Sequence, residues 1–303
     1  MPHLLEVTDL TSAEIEKVFA ITADLKAKFS QGVREPLLPN RVIGMLFEKP
    51  SLRTRVSFEA GIAHLGGSSL FLGNDVGFGK RESVPDFARV LSQYVDGIVI
   101  RANRHQTVVD MAAHSTCPVI NGLTDRAHPC QALADLYTLR ELLGSLKGVT
   151  LAYIGDANNM TRSLMEGCGR LGMPIRVATP KAYQFSAEEI AEIKREVPQL
   201  DLTVTEDPIE AVKGAAAVYT DVWASMGMEA EAEKRKQDFA KYQINAALMK
   251  HAPKDAYFMH CLPAHRGEEV TDEVIDGPHS IVVQEASNRM HVQKGIMAWL
   301  LSR

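Results

Sequence analysis

The absences in this sequence narrow the possibilities first. There is no excess of basic charge: the formal net charge is −5 over 303 residues, so no dominant surface for a nucleic acid is implied. No apolar run approaches the ~18 residues of a membrane span, and the N-terminal stretch shows no basic-then-apolar leader. No membrane association and a cytoplasmic location are therefore expected. The four cysteines (Cys117, Cys130, Cys168 and Cys261) are scattered, with no CxxC pair. That argues against a disulfide framework and suits reduced thiols. Glycine-rich GxGxxG is missing after every strand-like run, which counts against a nicotinamide dehydrogenase. Internal repeats and low-complexity linkers are missing too.

What is present describes a globular protein: 46% hydrophobic and 23% charged residues, in a chain long enough for two ordinary domains. Thr11-Ser-Ala-Glu14 has capping-box spacing and opens an amphipathic helix to about Phe29. Apolar strand-like runs then alternate with helical patterns: 41–47, 69–72, 97–100 and 118–120 in the first half. The second half continues with 150–154, 175–178, 202–204, 216–219, 256–259 and 281–283. Gly73 to Glu82 has no period and reads as a mobile loop, and the charged stretch 229–243 reads as a solvated helix. The alternation predicts an α/β fold: two doubly wound parallel-sheet domains joined by bridging helices. The expected division is 1–143 and 144–287, with a C-terminal helix 288–303 packing back on the first domain.

Chemistry-bearing residues gather where those strands end. Phe47-Glu-Lys-Pro-Ser-Leu-Arg-Thr-Arg55 joins a strand to a helix, with Ser51 at the N-cap position. Free backbone N–H groups, the positive helix end, the Ser51 and Thr54 hydroxyls and the Arg53 guanidinium would suit a phosphate. Arg53 and Arg55 point to nearly opposite sides of a helix, so Arg53 is assigned to the anion and Arg55 to Glu59. The same residues also suit an ordinary capped helix with solvated arginines. His128 and Gln131 are three apart at a helix start and can face one ligand. The helix end there favours a neutral imidazole able to donate to a carbonyl oxygen. Arg101 closes a strand and can serve the same oxygen. Gly155-Asp-Ala-Asn-Asn159 places two amides in the first turn of the second half. Asp221, and the thiol of Cys261 in His260-Cys-Leu-Pro263, suit a substrate amine. His260, Cys261 and His265 make only a weak zinc set, so no metal and no cofactor are expected.

With these motifs assembled, the chain resembles the ornithine branch of the aspartate/ornithine carbamoyltransferase superfamily. The resemblance rests on Phe47–Arg55, on His128-Pro-Cys-Gln131, on Asp221-Val-Trp-Ala-Ser-Met-Gly227 and on His260–Pro263, four ordered motifs spanning nearly the whole chain. It implies binding of carbamoyl phosphate by Ser51, Leu52 (through its backbone), Arg53, Thr54, Arg101, His128, Gln131 and Arg289, with Cys261 and Leu262 closing the site. Ornithine would be held by Asn159, Asp221, Ser225 and Met226, and the catalytic residues would be Arg101, His128, Asp221 and Cys261. A homotrimer with active sites at subunit interfaces is also implied. Two positions depart from the family pattern. Leu52 stands where the signature usually has Thr, and Gly77 stands where a polar side chain, often Gln, reaches a neighbouring subunit. Lys80 or Arg81 could take over that contact.

The expected reaction is carbamoyl transfer from carbamoyl phosphate to the δ-amine of L-ornithine, giving citrulline and phosphate within arginine metabolism. The amine's proton would go to Asp221 with Cys261 or to the departing phosphate. Two other readings compete: a carbamoyltransferase for a different amine such as putrescine, and a non-catalytic protein that binds phosphate or an amino acid.

Overall fold

The computed structural model describes residues 2–73, 76–79, 81–224 and 229–302. The chain divides into two compact units: Met1–Tyr137 with Ser287–Arg303, and Thr138–Ala286.

The first unit begins with α1 (Ser12–Ser30), whose Thr11 cap accepts from the Glu14 N–H while Glu14 accepts in return. Then follow β1 (Val42–Phe47), α2 (Leu52–His64), β2 (Ser68–Leu72), α3 (Val84–Leu91), β3 (Gly97–Arg101), α4 (His105–His114), β4 (Val119–Leu123) and α5 (Pro129–Leu143). Among the described residues its four strands form one sheet in the order β2-β1-β3-β4, all parallel. All five residues of β3 and all but the first of β1 are buried, as expected of central strands covered on both faces. The order reverses between β1 and β3, and register places Phe47 beside Arg101. Ligands of open parallel sheets gather at such a switch point, beyond the carboxyl ends of the strands.

The second unit repeats this logic. It comprises β5 (Leu151–Ile154), α6 (Asn159–Leu171), β6 (Ile175–Ala178), α7 (Ala187–Glu196), β7 (Leu202–Thr205), α8 (Pro208–Val212), β8 (Ala217–Thr220), α9 (Ala232–Phe239), α10 (Ala246–Met249), β9 (Tyr257–His260) and α11 (Asp272–Ile275). Its five described strands are parallel in the order β7-β6-β5-β8-β9, with the reversal between β5 and β8. Trp223, Phe239, Tyr242 and Phe258 anchor a core cluster against one another and against small strand residues. Each such buried aromatic contributes on the order of 1.5–3 kcal/mol by leaving water.

Of the run 281–283, expected as a strand, Val282 and Val283 instead open α12 (Val282–Leu301), with Ile281 just before it. The chain makes one parallel bridge at Ser280 beside Phe258. The Glu285 N–H then donates to the Ile281 carbonyl at 2.9 Å, and the helix has begun. Three apolar residues cannot distinguish the two periods, and the longer pattern beyond them decides. One further expectation changes: Arg235, in the stretch read as solvated, is only 7% exposed. Phe78, in the loop 73–82, packs edge-on against Phe87 at 4.9 Å between ring centroids.

The dividing lines of the two units fall inside α5 and inside α12, so both helices run from one unit into the other. Within the first unit α12 lies close against α1, because a Cβ at Gly295 would sit 2.2 Å from Thr22 Oγ1 and 2.9 Å from the Val18 carbonyl oxygen. Gly295→Ala should gain up to about 1 kcal/mol in helix propensity and lose about 1–3 kcal/mol to overpacking. A net fall in the unfolding midpoint, measured by calorimetry, is the expected result.

Candidate active site

In the first unit, β1 delivers the chain to a turn whose Ser51 caps α2. The Ser51 side chain accepts from the Thr54 N–H at 3.3 Å, and its hydroxyl donates to Thr54 Oγ1 at 3.0 Å. Thr54 is fully buried while Leu52 is 77% exposed, so Leu52 offers the site its backbone and not its side chain. Arg55 turns away, pairing with Glu59 at 3.1 Å and lying over the Phe71 ring at 3.7 Å. Arg53 is thus the cation of this helix start that shares its surroundings with the other site residues.

Arg289 reaches the same place from α12. Its two terminal nitrogens donate to Gln131 Oε1 and to Thr54 Oγ1, each at 2.8 Å. Gln131 Nε2 donates in turn to Asp135 Oδ1 at 2.7 Å. Asp135 therefore sets which way the Gln131 amide faces, a residue the sequence reading missed. Its spacing, one turn after Gln131 on a buried helix, was the available signal. His128 is 6% exposed, and its pKa lies well below the ordinary value, from burial first and then from Arg289, Arg101 and Arg53. The expected direction holds. The larger causes, however, are desolvation and three guanidiniums, with no need of a helix end. A neutral imidazole surrounded by cations can donate one N–H to a carbonyl oxygen.

The second unit presents a different chemistry. Asp221 follows β8, and its carboxylate accepts from three donors: Cys261 Sγ at 3.1 Å, Asn158 Nδ2 at 3.0 Å and the Val222 N–H at 2.8 Å. Asn158 also caps α6, its Oδ1 accepting from the Met160 and Thr161 N–H groups. Asn159 is the first residue of α6 and is half-buried. Leu262 follows Cys261 with φ +57°, held by its N–H donating to His260 Nδ1 at 2.8 Å. Asp221, His260 and Cys261 lie within ligating distance of one another. With His260 Nδ1 occupied by a backbone donor and its Nε2 facing Glu269 at 3.2 Å, that ring is committed to structure. Arg235 joins the Asp156 carboxylate to the Trp223 carbonyl, both at 2.8 Å. Ser225, Met226 and Lys80 lie outside the described residues. Gly77 has φ +70°, and a Cβ there would meet Arg81 Cδ at 2.6 Å, so this turn requires glycine.

Three guanidiniums around a buried histidine at one switch point and a carboxylate–thiol pair at the other mark a two-unit α/β protein with a polar cluster in each unit. The chain belongs to the aspartate/ornithine carbamoyltransferase family: residues 2–141 match its carbamoyl-P binding domain and residues 147–300 its Asp/Orn binding domain. The ornithine carbamoyltransferase of Bacillus subtilis strain 168 is 51% identical over 98% of this chain and 93% of its own length. That of Pyrococcus abyssi is 48% identical over 98% and 95%. The solved ornithine carbamoyltransferase of Pyrococcus furiosus superposes with a TM-score of 0.95 at 46% identity, covering 99% of this chain and 97% of the other.

The depressed His128 pKa fixes a sign. The unfolded chain takes up this proton near pH 6.5 and the folded one only well below it, so the contribution to stability is intact above about pH 6.5 and is lost as pH falls. In urea titrations from pH 7.5 to 5.5, the native protein should lose up to about 1.4 kcal/mol per pH unit relative to His128→Asn.

Proposed function

We propose that the chain transfers the carbamoyl group of carbamoyl phosphate to the δ-amine of L-ornithine, giving L-citrulline and phosphate. The observation that carries the choice of acceptor is the Asp221–Cys261 pair beyond β8 and β9, together with relatives named for ornithine at about half identity over nearly the full chain.

The first unit holds the donor. Ser51, the Leu52 N–H, Arg53 and Thr54 bind the phosphate, and Arg101, His128 and Gln131 take the carbamoyl group, with Arg289 tying Thr54 to Gln131. The amine nitrogen attacks the carbonyl carbon, the developing oxyanion is stabilised by Arg101, His128 and Thr54, and the bond to the phosphate oxygen breaks. In the second unit Asp221 and Asn159, with Ser225 and Met226, hold ornithine, and Cys261 and Leu262 close beside the reacting groups. Asp221 already accepts three hydrogen bonds. It orients the amine, whose proton goes to Asp221 with Cys261 or to the departing phosphate. No cofactor is required, because the mixed anhydride is already activated.

The working form is a homotrimer in the cytoplasm, serving arginine metabolism. The exposure of Leu52, Val56, Leu70 and Phe71 on α2 and the edge strand β2 supports a further copy docking on that face. In light scattering, such an assembly has three times the 33.3 kDa chain mass. Among the described residues no helix is long and apolar enough to cross a membrane.

Incubation with carbamoyl phosphate and ornithine, aspartate or putrescine in separate vessels tests the assignment; citrulline should form rapidly and the other two acceptors should react poorly. Equal turnover of putrescine, or binding without turnover, would replace this reading by one of its rivals. His128→Ala should lower kcat by ~10²–10³ as loss of one oxyanion donor does, with circular dichroism unchanged. Cys261→Ala should raise the KM for ornithine more than that for carbamoyl phosphate.

A further inference from the structure

The loop that delivers His128 is braced by the N-terminal segment. Leu4 pairs with β4 as an added parallel bridge, its N–H donating to the Val119 carbonyl at 2.9 Å and its carbonyl accepting from the Asn121 N–H at 2.8 Å. The buried Asn121 amide donates to the Leu5 carbonyl at 2.8 Å. Glu6, 8% exposed, then reaches two groups at once: Arg126, two residues before His128, and His105 Nε2 at 3.2 Å.

His105 passes the contact on. With Nε2 donating to Glu6, its Nδ1 accepts from the Thr124 hydroxyl at 3.0 Å. Thr124 Oγ1 accepts from the Ala127 N–H at 3.2 Å, and the Thr124 N–H donates to the Ala127 carbonyl at 2.9 Å. With the His105 proton on Nε2, donors and acceptors run in one direction along Glu6–His105–Thr124–Ala127, and the contacts end on the residue preceding His128. The His105 backbone N–H also holds Asp125 Oδ1 at 2.7 Å. Nothing in the reaction uses Glu6, His105 or Arg126 directly, yet the loop between β4 and α5 takes its shape from them.

We propose that Glu6 is a positioning residue for His128, acting through Arg126 and through His105 to fix the turn that starts α5; this rests on the donor-binding role given to His128 above. Misplacing a reacting group by about 1 Å can cost up to about 100-fold in rate.

The test uses the full-length protein with Glu6→Ala and Glu6→Gln. Glu6→Ala should lower kcat about tenfold or more and raise the KM for carbamoyl phosphate, leaving the KM for ornithine unchanged. Glu6→Gln, which keeps an acceptor for His105 but not the charge facing Arg126, should fall between. The His128 ring resonance, followed by NMR on histidine-labelled protein, should move in both variants. A folded Glu6→Ala protein with native kcat, native KM values and an unmoved His128 resonance would overturn the proposal, even if its melting point fell. Should Glu6→Ala fail to fold, the Glu6→Gln resonance decides: displaced supports it, unmoved refutes it. An unaltered protein that makes no citrulline defeats the assigned activity, while the NMR comparison, needing no turnover, still decides this one.

Discussion

The constraint on which the first unit depends is the crowding of positive charge around His128. Arg53, Arg101 and Arg289 all depress the protonation of one buried imidazole, and like charges brought together out of water repel. Two of the groups that anchor Arg289 are neutral acceptors, Gln131 Oε1 and Thr54 Oγ1. A carboxylate in either place would make a tighter pair and a poorer anion site. Asp135 stands one amide further back, where it orients Gln131. Under the proposed function, these guanidiniums face the phosphate and the oxyanion that forms beside it.

The second unit solves the opposite problem. Three donors from three segments (the turn after β5, its own loop and the turn after β9) converge on the Asp221 carboxylate. That convergence fixes the direction in which the carboxylate faces.

Much of this was legible in the sequence because local rules and sheet topology agreed. The Ser51 cap and the pairing of Arg55 with Glu59 follow from helix spacing alone, as does the opposite course of Arg53. The strand ends could be placed because fully buried parallel strands read as short apolar runs bounded by polar turns. What escaped depends on contacts between residues far apart in sequence. The Ile281–Val283 run looks like a strand until the helix beyond it is counted. Arg235 looks solvated until Asp156 and the Trp223 carbonyl are found beside it. Asn158 and Asn159 are indistinguishable in composition, and only the capping geometry of α6 tells which one turns its amide to Asp221.

One consequence of the chain path concerns synthesis. The first unit is discontinuous: α12 returns to it only after the entire second unit has been made. On the ribosome the N-terminal lobe therefore emerges with its β-sheet complete but without Arg289 to join Thr54 to Gln131. The nascent lobe is spared a full complement of crowded guanidiniums until α12 has been made.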